Sequence, residues 1–308
     1  MLGARFCFKQ QSTQKLRRNN CRVFADWLYN SRMDVRHAAM RSTSAVYVLL
    51  PAMFASMRPM SSLVAGTMSS AVFLMHSGFS GSVILVGLAM FTLTSFGFVF
   101  NDILDYHKDA AAKVKRPIAS GILSRKVAML FALVLLVTTC TVSFLVGSGG
   151  QVLVMVAVAL ILYTPFAHKF PLMKGLYVAV LCAAPLYYGS FVSRARYAWP
   201  SYVTLALFVA GREALMDANE VEGDLRAGML TIAVALGDAR ARRIGTYIMA
   251  LSLGVGVIAA TGWAGKVMFL VALFFLLCVF SWPKLNDTRR IELSRLPMLA
   301  AAFAIACG

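Results

Sequence analysis

Long apolar stretches alternate with short polar and basic segments over most of the chain. Apolar stretches of roughly 17–25 residues have the length that an α-helix needs to cross a membrane. The stretches lie near residues 59–77, 82–105, 126–147, 150–167, 175–192, 199–216, 242–263, 266–282 and 296–308. They predict an all-α, polytopic membrane protein with nine transmembrane helices. The ninth stretch has only 13 residues, which leaves the completeness of the C-terminus open.

Two segments precede the first predicted span. Residues 44–57 are apolar but include Pro51. At 1.5 Å per residue they reach only about 21 Å across a hydrocarbon core about 30 Å thick, so we interpret them as interfacial or as a lead-in to the first span. Residues 1–43 are basic, with Asp26 and Asp34 as their only acids. This composition is typical either of a transit peptide, which would place the protein in a mitochondrial or plastid membrane, or of a positive-inside tail, which fits a bacterial inner membrane or the endoplasmic reticulum. The predicted organisation is a basic N-terminal extension, residues 1–43, followed by a membrane domain, residues 44–308.

The distribution of charge supports a membrane protein and argues against nucleic-acid binding. Charged residues make up 14% of the chain, whereas soluble domains have about 25%. With nine spans and the N-terminus inside, 27 of the 30 Lys and Arg residues fall on one side, and the other side has only Arg194, Arg196 and Lys266. This asymmetry follows the positive-inside rule, so the net charge of +17 requires no nucleic-acid partner.

Eight of the thirteen acidic residues form two clusters, at the ends of the second and sixth predicted spans. The first cluster consists of Asp102, Asp105 and Asp109, preceded by Asn101, and the second of Glu213, Asp217, Glu220, Glu222 and Asp224. In each cluster three acids are spaced i, i+3, i+7, which predicts that they share one face of a helix. Two such faces opposed across a cavity would repel each other unless cations lay between them. Mg²⁺ prefers a few carboxylates together with substrate phosphates, so the pattern predicts Mg²⁺ ions that hold a diphosphate.

Basic residues near both clusters fit the same site. Lys113 and Arg116 follow the first cluster, Arg212 opens the second, and Lys169 lies on the same predicted side after the fourth span. Lys115 and Arg226 lie near the clusters as well, and cations around a metal–diphosphate site would neutralise the leaving group, because fixed cations stabilise a departing anion. Tyr163, six residues before Lys169, is either a residue of the aromatic belt or a substrate contact.

Other charged and ionisable residues have a simpler interpretation. Five basic residues are predicted to be topology charges: Lys108, Lys126, Arg240, Arg242 and Arg243. His107 and His168 are predicted to be interfacial, because two isolated histidines do not have the spacing of metal ligands.

The two acidic motifs resemble those of the UbiA superfamily of intramembrane prenyltransferases. The first family motif, NDxxDxxxD with a following RPxxSG turn, corresponds to Asn101, Asp102, Asp105, Asp109, Arg116, Pro117, Ser120 and Gly121. The second corresponds to Arg212, Glu213, Asp217, Glu220, Glu222, Gly223 and Asp224, with Glu220 at a position where the family usually has Asp. A weaker match to the family element YSxxLKRxP corresponds to Tyr163, Lys169 and Pro171. Lys174 stands where many members have a small or polar residue.

The resemblance implies nine helices in a ring around a central cavity that opens laterally to lipid. It also implies Mg²⁺ ligands at Asn101, Asp105, Asp217 and Asp224, with support from Asp102, Asp109 and Glu220. The expected catalytic residues are the six acids of this set, without Asn101. Lys113, Arg116, Lys169 and Arg212 would hold the diphosphate.

The expected function is Mg²⁺-dependent transfer of a prenyl group from an isoprenoid diphosphate to an acceptor, with release of diphosphate. The expected acceptor is aromatic, of the hydroxybenzoate or homogentisate type, although glycerol-phosphate ethers are also used in the superfamily. The partners are therefore a prenyl diphosphate, a small aromatic or lipid-like acceptor and membrane lipid. Two alternatives remain open at this point: a membrane terpene cyclase with the same site, and a transporter or lipid-binding protein that uses the acids for ions.

Overall fold

The structure, a computed structural model, describes most of the chain from residue 47 onward. The described ranges are 47–111, 115–195, 199–226, 228–260, 262–282 and 284–307. The predicted N-terminal extension, residues 1–43, and the predicted diphosphate ligand Lys113 lie outside these ranges, so both stay predictions from the sequence.

Within the described ranges the protein is all-α, as predicted, and has no strand. The α-helices are α1 (Tyr47–Ser56), α2 (Pro59–Ser77), α3 (Ser82–Leu104), α4 (Tyr106–Ala111), α5 (Arg125–Val146), α6 (Gly150–Lys169), α7 (Lys174–Val192), α8 (Trp199–Arg226), α9 (Ile232–Leu236), α10 (Asp238–Ala259), α11 (Trp263–Ser281), α12 (Asp287–Leu293) and α13 (Arg295–Cys307). A short 3₁₀ turn, Pro171–Met173, joins α6 to α7.

Each of the nine predicted spans coincides with one helix in the described part of the chain. The largest difference concerns α8, which continues from Trp199 to Arg226, ten residues beyond the predicted end of the sixth span at residue 216. These extra residues include good helix formers such as Ala, Glu and Leu. Soon after α8 ends, Gly228 adopts a left-handed conformation with φ 67°, which glycine tolerates best. The second acidic cluster therefore lies within α8, as the i, i+3, i+7 spacing predicts.

The prediction of nine membrane spans is not confirmed. Among the described residues, six helices are long and apolar enough to cross a membrane, namely α3, α5, α6, α7 with its 3₁₀ turn, α10 and α11. A seventh span results if α1 and α2 are taken together. Polar and charged residues lower the hydropathy of α8, and α13 has only 13 residues. The chain is nevertheless an integral, multi-pass membrane protein.

The chain divides into two compact units, Met1–Ala52 and Met53–Gly308, and all helices from α2 onward belong to the second. In that unit α3 packs against α2, α5 and α6, while α8 packs against α7 and α10. α13 packs against α11 and also against α2, so the last helix is a neighbour of the first helix of the unit. A ring around a central cavity stays a prediction.

Two glycines allow α8 to approach α10 closely. A Cβ added to Gly211 in α8 would lie 2.6 Å from the carbonyl oxygen of Gly245, and a Cβ added to Gly245 in α10 would lie 2.5 Å from that of Gly211. Small residues permit such backbone contacts between membrane helices, where van der Waals packing is a main source of association. This contact fixes the helix that carries the second acidic cluster.

We expect Gly245→Ala to destabilise the protein by about 1–3 kcal/mol, because overpacking a close helix contact forces the backbones apart. The measurement is the thermal unfolding midpoint of purified protein in detergent. Gly254→Ala is the matched control in the same helix, since a Cβ at Gly254 would meet no atom within 4 Å. Equal midpoints for the two variants would contradict the proposed packing role.

Candidate active site

The first acidic cluster lies where α3 passes into α4. α3 ends at Leu104, and Asp105 departs from helical geometry with φ −81° and ψ 5°. The prediction of one continuous helix is therefore corrected at this residue. Helical hydrogen bonds nevertheless continue on both sides of this break. The Asp105 amide donates to the Asn101 carbonyl (2.8 Å), and the Asp109 amide donates to the Asp105 carbonyl (2.9 Å). Asp102 and Asp109 are buried, whereas Asp105 is partly exposed.

Two arginines neutralise the buried carboxylates of this cluster. Asp102 Oδ1 accepts hydrogen bonds from Arg58 Nη2 at 2.8 Å and from Arg116 Nη1 at 3.2 Å. Arg116 Nη1 also donates to Asp109 Oδ2 at 2.5 Å. Burial raises the pKa of Asp109, although the Arg116 charge opposes this effect. Burial alone would lower the pKa of Arg116, but Asp102 and Asp109 outweigh it and raise that pKa, so Arg116 stays charged.

Helix α6 contributes a second set of contacts to the first cluster. Asn101 Nδ2 donates to Asp105 Oδ2 at 3.0 Å, and Thr164 Oγ1 donates to Asn101 Oδ1 at 2.6 Å. His168 Nε2 lies 3.3 Å from Asp105 Oδ1. Thr164 and His168 are four residues apart and so share a face of α6. His168 therefore contacts the first cluster, and its interpretation as an interfacial residue that is not a metal ligand stays a prediction.

Lys169 lies on a different face of α6 from His168. Its side chain is exposed, and its Nζ lies 5.4 Å from the centre of the Phe170 ring. The structure therefore brings His168, but not Lys169, to the first acidic cluster. The role of Lys169 in binding diphosphate stays a prediction.

The second acidic cluster lies along one continuous helix, α8, as predicted. Asp217 and Asp224 are buried, whereas Glu220 is exposed. Lys174 Nζ lies 2.5 Å from Asp217 Oδ1, and the two side chains are 10% and 4% exposed. Asp224 Oδ1 accepts a hydrogen bond from Lys108 Nζ at 3.3 Å. Asp224 Oδ2 is buried and has no hydrogen-bond partner among the described residues.

The two acidic clusters meet at Lys108. This residue belongs to α4, between Asp105 and Asp109, and its ammonium group reaches Asp224 in the second cluster. Arg116 lies within range of electrostatic interaction with Glu220. Tyr163 lies within such range of both Asp105 and Asp217. The juxtaposition predicted from the sequence is therefore present in the structure.

Tyr163 and Arg212, two other predicted site residues, lie close to the second cluster. The centres of the Tyr163 and Tyr177 rings lie 5.9 Å apart. Arg212 Nη1 lies 3.9 Å from Glu213 Oε1 and 3.3 Å from Met216 Sδ. The Nε of Arg212 is buried and has no hydrogen-bond partner among the described residues.

Sequence reasoning missed three of the cations at this site. Arg58 is one of the 27 basic residues on the predicted inner side, the sequence predicts Lys108 to be a topology charge, and Lys174 stands out in sequence only as a departure from the family. The pairing of Lys108 with Asp224 and of Lys174 with Asp217 corrects these interpretations. Only the position of Lys108 within the first motif could have indicated its role, since the partners of all three cations are more than 40 residues away.

The oxygen atoms of the two clusters fit Mg²⁺. No group of three or more Asp, Glu, His or Cys side chains in the described ranges forms a ready metal cage. Mg²⁺ does not need one, because it commonly binds one or two carboxylates plus water and substrate phosphate oxygens. The unpartnered, buried Oδ2 of Asp224 is available as such a ligand.

Comparison with known proteins places the chain in a family. Residues 42–303 match the UbiA prenyltransferase family. A digeranylgeranylglyceryl phosphate synthase from Methanoregula boonei is 27% identical over 237 residues, which cover 74% of this chain and 84% of the relative. One from Thermococcus kodakarensis is 28% identical over 174 residues, which cover 56% of this chain and 63%, less than two thirds, of the relative.

Solved structures agree with this assignment at the level of the fold. A structure of a digeranylgeranylglyceryl phosphate synthase aligns with a TM-score of 0.58 and 19% identity, covering 83% of this chain and 98% of the other. A structure of a UbiA homologue from Archaeoglobus fulgidus, bound to DMAPP and Mg²⁺, aligns with a TM-score of 0.57 and 17% identity. The alignment covers 83% of this chain and 99% of the other. With the family match over residues 42–303, these findings show that the chain belongs to the UbiA prenyltransferase family.

Proposed function

We propose that this protein transfers a prenyl group from an isoprenoid diphosphate to an acceptor and releases diphosphate in a Mg²⁺-dependent reaction. The observation that carries the proposal is the meeting of the two acidic clusters, joined by the ion pair between Lys108 and Asp224. Carboxylates at helix ends in a membrane protein are costly, so they normally have a functional partner. Family membership and the Mg²⁺-bound and DMAPP-bound structure of a homologue support the same reaction.

The acids divide into two groups by their present contacts. Asp105, Asp217 and Asp224, together with Asn101, would hold Mg²⁺, with Asp109 and Glu220 in support. Asp102 is buried and paired with both Arg58 and Arg116, so its part is to position these arginines. When bound, Mg²⁺ supplies a Lewis acid that neutralises the charge developing on the departing diphosphate.

The cations now paired with the acids would hold the donor. Arg116, Lys108 and Lys174 each neutralise a carboxylate in the structure, which removes the repulsion between like charges, and His168 lies 3.3 Å from Asp105. The diphosphate of the donor offers these side chains alternative oxygen partners. Bonds from such fixed cations stabilise the leaving group as it forms.

The reaction begins with the allylic C–O bond of the donor, whose bonding electrons leave with the diphosphate. The allylic carbon then bonds to the acceptor, which loses a proton. Tyr163, within electrostatic range of both clusters, would contact the reacting end of the donor. Exclusion of water from the cavity would protect the cationic carbon from hydrolysis.

Two classes of acceptor are candidates. The sequence predicted an aromatic acceptor, which no comparison confirms. The curated relatives described above are named as digeranylgeranylglyceryl phosphate synthases. Their names favour a glyceryl-phosphate lipid, and we propose this class as the first to be tested.

The test is mass spectrometry of products made by the purified protein from a panel of prenyl diphosphates and acceptors. The panel pairs geranyl and geranylgeranyl diphosphate with a prenylated glyceryl phosphate, hydroxybenzoate or homogentisate. We expect one acceptor to gain a prenyl group with stoichiometric release of diphosphate. Excess chelator should abolish the reaction and added Mg²⁺ should restore it.

Three results would contradict the proposal. Full turnover in excess chelator would exclude the metal site. Formation of a cyclised hydrocarbon or alcohol from the donor without any acceptor would identify a terpene cyclase. Absence of diphosphate release with every donor would favour a transporter or lipid-binding protein.

A further inference from the structure

A cavity with a charged wall lies apart from the acidic clusters, between α8, α10, α11 and α12. Its volume is about 250 Å³. Arg242 and Arg243 in α10, and Arg290 and Asp287 in α12, form its charged wall. Three guanidinium groups and one carboxylate line the cavity, which gives the lining a net charge of +2; the exposed Asp238, outside the lining, also lies 4.0 Å from Arg242 Nε.

One carboxylate holds two of the arginines in place. Arg242 Nη1 lies 2.9 Å from Asp287 Oδ2, and Arg290 Nη1 donates to Asp287 Oδ1 at 3.1 Å. Arg242 also donates to Asn219 Oδ1 at 2.6 Å and to the Ala218 carbonyl at 3.0 Å. These two guanidinium groups are therefore fixed before any ligand arrives, which lowers the entropy that binding costs.

The same wall keeps unused hydrogen-bond donors. Arg290 Nε is buried and has no hydrogen-bond partner among the described residues. The Arg243 side chain is exposed; its Nε donates to the Ala239 carbonyl at 3.4 Å, and no carboxylate in the described ranges forms an ion pair with it. Guanidinium groups with free donors match the oxygens of a phosphate, because the planar fork can donate two parallel bonds.

The cavity lies on the side of α8 opposite the acidic cluster. Leu215 lines the cavity, and it is two residues from Asp217, or about 200° around a helix of 3.6 residues per turn. Asp224, seven residues beyond Asp217, returns to nearly the same face as Asp217. The cavity is thus separate from the proposed active site, and the inference does not rest on the proposed function.

The rest of the wall is apolar, and the cavity lies at the ends of the membrane helices. Phe280 comes from the last turn of α11, Ile291 from α12, and Tyr247 from the third turn of α10, where its side chain is 71% exposed. In the nine-span topology predicted from the sequence, the first turns of α10 and the last turn of α11 belong to the side that carries most of the Lys and Arg residues. Basic pockets between membrane helices on this side, beside apolar walls, are the type of site that binds anionic lipid head groups.

We propose that this cavity binds the phosphate head group of an anionic phospholipid. The three arginines contact the phosphate, while Phe280, Ile291 and Tyr247 contact the first part of the acyl chains. The lipid would bridge α10 and α12 behind the helix that carries the second acidic cluster.

The test is native mass spectrometry of the full chain, purified in detergent and titrated with phosphatidylglycerol, phosphatidylcholine or inorganic phosphate. Arg243→Gln removes a cation that holds no other side chain in place. Arg289→Gln is the control for the loss of one positive charge, since Arg289 is an exposed residue of α12 and does not line the cavity. We expect wild type and Arg289→Gln to retain phosphatidylglycerol, and Arg243→Gln to retain it about tenfold more weakly.

Each other outcome would overturn the proposal. Equal retention of phosphatidylglycerol by Arg243→Gln and Arg289→Gln would show that the arginine wall is not the binding site. Equal retention of phosphatidylcholine would show that the anionic charge of the head group is not recognised. Inorganic phosphate that displaces the lipid at equal concentration would identify a site for a free anion. Thermal unfolding of each variant checks that a loss of lipid does not come from a loss of the fold.

Discussion

Replacing Asp105 by Asn is expected to lower the rate of diphosphate release by at least about a hundredfold while leaving the protein folded. Loss of one preorganised electrostatic group at a site where charge develops commonly costs a factor of about 10²–10³ in rate. Asp105 is suited to this test because its contacts are modest: Asn101 donates to one oxygen and His168 lies 3.3 Å from the other. An asparagine preserves the size of the side chain and removes the negative charge that Mg²⁺ requires.

The control for this variant is Glu292→Gln. Glu292 is exposed in α12, outside both acidic clusters, so its replacement removes one negative charge without touching the site. We expect it to retain activity close to that of wild type, measured as diphosphate release under the same conditions. Activity of Asp105→Asn within a few-fold of Glu292→Gln would contradict the role given to Asp105.

Replacing Asp217 by Asn is expected to abolish activity and also to destabilise the fold, in contrast to Asp105→Asn. Asp217 and Lys174 form a buried ion pair, with 4% and 10% of their side chains exposed. Removing one partner of a buried pair leaves the other charge uncompensated and costs about 3–5 kcal/mol. The thermal unfolding midpoint and the rate of diphosphate release are measured on the same preparation.

The double variant Lys174→Gln with Asp217→Asn separates stability from catalysis. Removing both charges eliminates the uncompensated lysine, so the unfolding midpoint should recover most of what Asp217→Asn loses. Activity should not recover, because the carboxylate that would bind Mg²⁺ is still absent. If the double variant regained activity together with stability, Asp217 would have only a structural role.

The positions of the helices could be predicted from the sequence because they depend on local pattern. Each apolar stretch long enough to form a helix does so, and the spacing of Asp217, Glu220 and Asp224 correctly predicted a shared helix face. The predicted number of membrane spans stays unconfirmed, because polar and charged residues weaken the apolar signal of some helices. Polar and charged residues lower the mean hydropathy of α8, which is therefore not among the helices apolar enough to cross a membrane.

Arg116 was predicted as a cation of the site, but Arg58, Lys108 and Lys174 were not, because their partners are distant in sequence. Arg58 and Asp102 are 44 residues apart, and Lys108 and Asp224 are 116 residues apart. A basic residue near a membrane helix looks the same in sequence whether it sets the topology or neutralises a carboxylate. Only packing decides between these roles, as it does for His168, which faces Asp105 while the neighbouring Lys169 does not.

The most direct measurement is binding of Mn²⁺, used as a spectroscopic substitute for Mg²⁺, by electron paramagnetic resonance. Purified protein is titrated with Mn²⁺ in the presence and absence of a prenyl thiolodiphosphate, a donor analogue that reacts slowly. If the two acidic clusters share the metal and the diphosphate, tight Mn²⁺ binding requires the analogue. Tight Mn²⁺ binding is then lost in Asp105→Asn, and it is lost to the same extent in the double variant Lys174→Gln with Asp217→Asn. Undiminished Mn²⁺ binding in either variant would show that the clusters do not form one site.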